Sequence, residues 1–142
     1  MKQITIYTDG GSRGNPGLSA LGVVISNQDK ILAELSETLG ITTNNVAEYT
    51  AVLRAHQWIA ENIKNLTDLT ISFYLDSLLV CSQLNGTYKI KQPSLVAIRQ
   101  QIAKHEQQLK QSNATVTYQH IRRNFNKHAD RLVNKALDQI AK

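Results

Sequence analysis

The 142-residue sequence predicts an α/β domain in which helices cover a five-stranded mixed β-sheet. Three observations favour this class. Strand-like segments follow one another in the first third of the chain, separated by short turn sequences. The hydrophobic pattern then changes to the helical period. From there to the end, strand-like and helix-like segments alternate, which gives the element order βββαβααβα.

Three consecutive strands form the first part of this order. Residues Lys2–Thr8 alternate polar and apolar side chains, which is typical of a half-buried strand. The segments Ala20–Ser26 and Ile31–Leu39 are short apolar or alternating runs. Because the segment Asn27–Lys30 between them is polar, we predict a hairpin at that position.

The remaining elements alternate between the two patterns. Apolar residues recur every three or four positions from Val46 to Ile63 and predict a long amphipathic helix. Leu69–Leu75 is rich in β-forming residues and predicts the fourth strand. The order is completed by a short helix ending at Leu84, a helix from Ser94 to Lys110, a strand at Thr115–Ile121 and a helix from Asn126 to Ile140. The length suits one domain spanning residues 1–142.

The composition limits the classes of function. The formal net charge of +5 and the pI of about 9.4 suit a polyanionic partner. No apolar run approaches the roughly 18–20 residues of a membrane span, and the amino terminus lacks a signal-peptide core. We therefore expect a cytoplasmic protein with no membrane partner. Cys81 is the single cysteine, which excludes a disulfide framework and a zinc site built from thiolates. Because it lies beside Leu79 and Val80 in a predicted helix, we expect it to be a small buried apolar residue. We place His56 and His105 on helix surfaces.

Four of the 11 acidic residues stand at the ends of predicted elements. Asp9 and Asp76 follow the first and fourth strands. Glu48 and Asp130 are placed in the first turns of two helices. In an open α/β sheet such ends converge on one edge, where ligands bind. Four carboxylates there would repel one another unless a cation neutralised them, and Mg²⁺ or Mn²⁺ prefers oxygen ligands of this kind.

Each of these carboxylates also has a purely structural interpretation. Asp9 could belong to a turn, and Asp76 could cap the helix that follows it. Glu48 could complete a capping box with Asn45, three residues earlier. Asp130 could favour the positive end of its helix dipole. The metal site is favoured because all four residues coincide at one edge of the predicted topology.

The four carboxylates lie within four longer motifs. These are YTDGGSRGNPG at Tyr7–Gly17, TTNNVAE at Thr42–Glu48, YLDS at Tyr74–Ser77 and HIRRNFNKHAD at His120–Asp130. In this order they resemble the four motifs of type 1 ribonuclease H, in the form with a short loop before the last aspartate. The resemblance covers nearly the whole chain and implies the ribonuclease H-like fold, whose βββαβαβα core agrees with the element order above.

The resemblance implies an endoribonuclease that hydrolyses the RNA strand of RNA–DNA hybrids and leaves 5′-phosphate and 3′-hydroxyl ends. Asp9, Glu48, Asp76 and Asp130 would be both catalytic and metal-binding, holding two Mg²⁺ ions, with Mn²⁺ as a substitute. One ion would activate the attacking water and the other would stabilise the leaving 3′ oxygen. Substrate choice would depend on the 2′-hydroxyl, which distinguishes RNA from DNA.

Substrate contacts are also implied. They would be made by Gly10, Ser12, Gly14, Asn15, Thr43, Asn44, Asn45 and Arg123. Of these, Thr43 would bind a phosphate of the DNA strand, whereas helix capping is the structural alternative for the two adjacent asparagines. Further phosphate contacts would come from Arg13, Lys89, Lys91, Arg122, Lys127 and Arg131.

Three features depart from the pattern of many relatives. The segment Asn85–Lys91 is short and lacks tryptophan where they carry a basic protrusion. Leu78 stands where they have a polar residue. Their mobile-loop histidine, which helps to release product, has no clear counterpart. Arg123 is the better candidate for that role and His128 the weaker one.

Two classes of function stay open from the sequence. One is a hybrid-specific endoribonuclease, expected to be monomeric, and the other is a binding module that keeps the groove without activity. The intact set of four carboxylates favours the enzyme. A phosphatase with Asp9 as nucleophile is a weaker alternative, and the glycines match neither a dinucleotide fingerprint nor a P-loop.

Overall fold

The computed structural model describes residues 3–140, so Lys2, the predicted start of the first strand, lies outside the described residues. The elements are β1 (Gln3–Arg13), β2 (Gly17–Asn27), β3 (Lys30–Thr42), α1 (Asn44–Asn62), β4 (Thr70–Leu75), α2 (Leu78–Leu84), α3 (Pro93–Gln111), β5 (Thr115–His120) and α4 (Lys127–Ile140). A single 3₁₀ turn at Arg123–Phe125 precedes α4. The predicted order βββαβααβα is confirmed.

The five strands form one mixed sheet in the order β3-β2-β1-β4-β5. The pairs β1–β2 and β2–β3 are antiparallel, whereas β1–β4 and β4–β5 are parallel. β1 is therefore the central strand, and the carboxyl ends of β1, β4 and β5 share one edge. This confirms the predicted α/β class and its mixed sheet.

Helices cover both faces of the sheet. A Cβ built on Gly10 would meet α1, and one built on the next residue, Gly11, would meet α4. Because successive residues of a strand face opposite sides, α1 and α4 lie on opposite faces. The larger core includes Ile6, Phe73 and Tyr49, between the sheet and α1, together with residues of α2 and α3. A smaller cluster joins Ala20 of β2 to Val133, Ala136 and Leu137 of α4.

The start of α1 differs from the sequence prediction. Its N-cap is Thr43, whose Oγ1 accepts the Val46 N–H at 3.2 Å. Glu48 is therefore the fifth residue of the helix, and the first turn contains no acidic residue. The capping box with Asn45 is wrong for the same reason. Ser77, not Asp76, caps α2.

Within residues 3–140, no helix is both long enough and apolar enough to cross a bilayer.

Candidate active site

Two carboxylates are placed at one edge of the sheet by the parallel pairing of β1 with β4. The last paired residues of the two strands are Thr8 and Leu75. Asp9 is the next residue of β1, and Asp76 directly follows β4. The two residues therefore lie side by side where the parallel pairing of β1 with β4 ends.

Glu48 reaches this edge because α1 packs unusually close to β1. A Cβ on Gly10 would lie 2.3 Å from the carbonyl carbon of Ala47 and 2.4 Å from the Glu48 nitrogen. No side chain fits in that space, so only glycine permits the contact. The residue after Asp9 thus sets the distance between the strand and the helix that carries Glu48.

Asp130 is brought to the same edge by a second close approach, on the opposite face of the sheet. Gly22 of β2 pairs with Asp9, and a Cβ on Gly22 would lie 2.2 Å from the Ala129 carbonyl oxygen. The first turn of α4 therefore rests directly on the backbone of β2. Asp130, in that turn, lines the same cavity as the other three carboxylates.

Three of the four carboxylates form a compact group. One oxygen from each of Asp9, Glu48 and Asp76 lies within 4.8 Å of the other two. Asp9 and Glu48 are each only 7% exposed, and Asp76 is half-buried. Asp130 is also half-buried and stands outside this group of three. The cavity that all four line has a volume of about 410 Å³.

The electrostatics of this group favour a cation. Burial, and then the negative charge of Asp76, raise the pKa of Asp9 to about 7. Burial also raises the pKa of Glu48 well above its ordinary value, with further increases from the charges of Asp9 and Asp76. Within residues 3–140, the buried Oε2 of Glu48 has no hydrogen-bond partner. A buried, unpartnered carboxylate oxygen among other carboxylates fits a hard divalent cation.

A further residue of the site was missed from the sequence. Asn126, just before α4, is 1% exposed. Its Nδ2 donates to Asp76 Oδ2 and to the Thr8 carbonyl, both at 2.9 Å. In the sequence, Asn126 lies within the fourth motif and at the predicted start of the last helix, and neither position indicates a contact with Asp76.

The residues predicted to bind substrate occupy two kinds of position. Those lining the cavity are Gly10, Ser12, Asn44, Asn45 and Arg123. Gly14, Asn15 and Thr43 are not among its lining residues, but two of them organise the loops beside it. Asn15 Oδ1 accepts the Asn44 N–H at 3.0 Å, and Thr43 caps α1. These contacts join the loop after β1 to the start of α1.

The two candidates for product release differ in position. Arg123 lies in the exposed 3₁₀ turn and lines the cavity. His128 instead bonds to the carboxylate of Glu34 on β3 and is not among the lining residues. A second arginine, Arg13, also lines the cavity and is paired with Asp138 of α4 at 2.6 Å.

The fold and the site together define an α/β protein with a carboxylate centre suited to divalent cations. The chain belongs to the RNase H family, whose model matches residues 1–142. That family is metal-dependent, in agreement with the donor set of the cavity.

Individual relatives support this assignment. The chain is 35% identical over 141 residues to the bifunctional protein Rv2228c of Mycobacterium tuberculosis. This alignment covers 98% of the chain but only 36% of that protein. It is 36% identical over 137 residues to ribonuclease HI of Halobacterium salinarum, covering 96% of the chain and 65% of that protein. The chain thus spans about a third of the length of the mycobacterial relative.

Solved structures are similar over the whole fold. LC11-RNase H1, isolated from compost by a metagenomic approach, superimposes with a TM-score of 0.91 at 40% identity and covers 100% of both chains. The same protein in complex with an RNA/DNA hybrid has a TM-score of 0.91 at 39% identity, covering 98% of this chain and 99% of the other. RNase H1 of Halobacterium salinarum has a TM-score of 0.84 at 36% identity, with 96% and 98% covered.

Proposed function

We propose that this domain is an endoribonuclease that hydrolyses the RNA strand of RNA–DNA hybrids and leaves 5′-phosphate and 3′-hydroxyl ends. The observation that carries the proposal is the compact group of Asp9, Glu48 and Asp76 in a domain of the RNase H family. Within residues 3–140, one buried oxygen of Glu48 in this group has no hydrogen-bond partner. The hybrid complex of LC11-RNase H1, a protein similar over nearly the whole chain, supports the substrate class.

The residues that would hold the metal are Asp9, Glu48, Asp76 and Asp130. Two bound Mg²⁺ ions would supply a water of lowered pKa as nucleophile and positive charge beside the leaving 3′ oxygen. Mn²⁺ has similar ligand preferences and is the expected substitute. The protein's contribution is to hold four ionised carboxylates at one edge of a rigid sheet, where the parallel strands and the two glycine contacts fix their separation.

Substrate contacts are proposed for Gly10, Ser12, Gly14, Asn15, Thr43, Asn44, Asn45 and Arg123. The amide side chains of Asn44 and Asn45 can both donate to and accept from a 2′-hydroxyl at the cavity wall. Asn15 would act partly through its bond to the Asn44 backbone, which holds the two loops in register. Arg123 is the proposed product-release residue because it lines the cavity on an exposed turn.

The test is a cleavage assay on a hybrid whose RNA strand carries a 5′ label, in Mg²⁺ and in EDTA. We expect Mg²⁺-dependent cleavage by the parent and loss of cleavage in Asp9→Asn. Asp29→Asn is the matched control, because it removes the same charge from an exposed turn between β2 and β3. Hybrid binding without cleavage by the parent would instead identify a binding module, and cleavage in EDTA would remove the metal assignment.

We also propose that residues 1–142 act as one catalytic domain. The main core is shared by the sheet and α1–α3, and α4 packs on the same sheet through a smaller cluster. The cytoplasmic location and the monomeric state stay predictions.

A further inference from the structure

Asn126 joins three of the elements that form the site. Its side chain contacts the end of β1 at the Thr8 carbonyl and the residue after β4 at Asp76 Oδ2. Its own carbonyl accepts the Asp130 N–H at 3.1 Å, in the first turn of α4. One buried side chain and its backbone thus connect the segments that carry Asp9, Asp76 and Asp130.

The chemistry of the two partners fixes the orientation of this amide. A backbone carbonyl and a carboxylate oxygen can only accept hydrogen bonds, and Nδ2 has two hydrogens to donate. Rotating the amide by 180° would place Oδ1 against two acceptors and lose both bonds. The Oδ1 of Asn126 is buried and has no hydrogen-bond partner within residues 3–140. The orientation of the amide is therefore set by the two bonds that Nδ2 donates.

The contact with Asp76 differs from an ordinary structural hydrogen bond. Asp76 is one of the three carboxylates whose oxygens lie within 4.8 Å of one another. A hydrogen bond at 2.9 Å to one of its oxygens restricts rotation of the carboxylate about its terminal bond. Loss of a partner that orients a metal ligand in this way typically weakens metal binding or activity by about 10- to 100-fold.

We propose that Asn126 is a positioning residue that holds the Asp76 carboxylate in the orientation required for metal binding. The proposal rests on the proposed function for its consequences in catalysis, but its effect on metal affinity can be measured without substrate. The competing explanation is a purely structural tie between α4 and β1 through the Thr8 carbonyl. The experiment has to separate these two roles.

Two variants of Asn126 and one control variant distinguish the positioning role from the structural role. Asn126→Ala removes both donated bonds, and the nearly isosteric Asn126→Asp replaces the donor with a group that can only accept when ionised. Asn85→Ala is the matched control, because Asn85 Nδ2 also donates to a strand carbonyl, that of Tyr118 on β5, at 3.0 Å. Within residues 3–140, the hydrogen bonds of its side chain go to Tyr118 and Cys81, not to the carboxylates.

The readouts are the dissociation constant for Mg²⁺ by calorimetry, the Mg²⁺-dependent rise in Tm, and hybrid affinity in EDTA. We expect Asn126→Ala to weaken Mg²⁺ binding by about 10-fold or more, and to raise the Mg²⁺ concentration for half-maximal cleavage equally. Hybrid affinity in EDTA should change less than about twofold. Asn85→Ala should lower Tm with unchanged Mg²⁺ affinity.

The outcomes are distinguishable. If Asn126→Ala lowers Tm as the control does and binds Mg²⁺ like the parent, the residue is only structural and the proposal is overturned. If Asn126→Ala does not fold, Asn126→Asp decides the question, because unchanged cleavage and unchanged half-maximal Mg²⁺ concentration in that variant would also overturn it. A parent that binds Mg²⁺ but leaves hybrids intact would refute the proposed function while the affinity comparison still tests Asn126.

Discussion

Asp9 is a carboxylate whose surroundings favour its protonated form when no cation is bound. Its pKa is about 7 in the folded chain, against an ordinary value of 3.8. Between these values the folded state holds a proton that the unfolded state has released. The contribution of this group to stability is therefore present at low pH and is lost as the pH rises toward 7.

The Asp9→Asn variant is expected to be more stable than the parent in EDTA at about pH 8. A neutral amide removes the cost of a buried, ionised carboxylate beside Asp76, and we expect a gain of ~1 kcal/mol or more, equivalent to a Tm rise of about 3 °C for a domain of this size. Thermal melts at several pH values measure the effect, which should shrink toward pH 4. Added Mg²⁺ should stabilise the parent more than the variant, and equal stabilisation of both would contradict a metal site at Asp9.

His56 shows what single-residue interpretation of the sequence could not establish. It was placed on a helix surface, but it is 1% exposed. Its Nε2 lies 2.9 Å from the Tyr118 hydroxyl, which donates its only hydrogen to Glu106 Oε2 at 2.7 Å. His56 Nε2 must therefore carry the hydrogen of the first bond. Its buried Nδ1 has no partner within residues 3–140, and burial lowers the pKa of the ring to about 3, so the ring is neutral at pH 7. The partners lie 62 and 50 residues away along the chain, beyond any local pattern.

Acid should destabilise the protein through His56. Burial, and then the nearby His105 and Arg99 of α3, lower its pKa from 6.5 to about 3. The unfolded state binds more protons between these values, so stability is lost as the pH falls below about 6.5. Relative to His56→Gln, the parent should lose about 2 kcal/mol between pH 7.5 and pH 5 in urea unfolding. His120→Gln, at an exposed position on β5, is the control, and a constant difference across this range would contradict the burial of a neutral ring.

At the scale of elements, hydrophobic periodicity predicted which segments are helices and strands, but not their ends. β1 was expected to end at Thr8, yet it continues through the glycine-rich motif to Arg13, because that segment keeps its pairing with β2. The start of α1 was ambiguous for a different reason. Thr43, Asn44 and Asn45 are all residues that cap helices well, so local preference could not select the one that does.

The packing of α4 on β2 gives a prediction for Gly22. An alanine there would place its Cβ 2.2 Å from the Ala129 carbonyl, and the helix backbone would have to move. We expect Gly22→Ala to cost ~3 kcal/mol of unfolding free energy and to weaken Mg²⁺ binding, because Asp130 moves with the helix. Denaturant unfolding and the Mg²⁺-dependent Tm shift measure both effects.

The control for this prediction is Gly86→Ala. That position has open space around it but a φ of +79°, so only backbone strain of ~1 kcal/mol is expected, with unchanged Mg²⁺ binding. If Gly22→Ala and Gly86→Ala lost equal unfolding free energy and equal Mg²⁺ affinity, the contact between α4 and β2 would be able to relax. That contact would then not set the position of Asp130.

For the whole molecule, the sequence predicted which carboxylates share one cavity, but not the long-range contacts that hold them there. All four carboxylates line one cavity, as the element order and the motifs predicted, although Asp9 lies within β1 and Glu48 is the fifth residue of α1. Asn126 and Asp76 are 50 residues apart, and nothing local indicated that they would bond. The ion pair between Arg13 and Asp138 joins residues 125 positions apart, and no local pattern predicted it either. Long-range polar contacts of this kind depend on how the elements pack.

For the proposed activity, the arrangement of the cavity predicts which duplexes resist cleavage. Ser12, Asn44 and Asn45 line it beside the carboxylates, so several consecutive 2′-hydroxyls are expected to be recognised together. Each missing hydrogen bond costs about 1 kcal/mol, and more where a polar group is left unpaired, so the losses compound to orders of magnitude in rate. DNA duplexes carrying one, two, four or eight consecutive ribonucleotides should show cleavage that rises steeply with tract length, and pure DNA should resist.

Efficient incision at a single embedded ribonucleotide would contradict this prediction. Asn44→Ala provides a second check. From the sequence alone, this substitution could also have removed a helix cap. Thr43 caps α1, and Asn44 contributes only its backbone N–H to the bond with Asn15, so the substitution removes no cap. The variant should keep the parent's Tm. It should lose more activity on the four-ribonucleotide substrate than on a full RNA strand, because a full RNA strand offers alternative registers in which the remaining contacts can form.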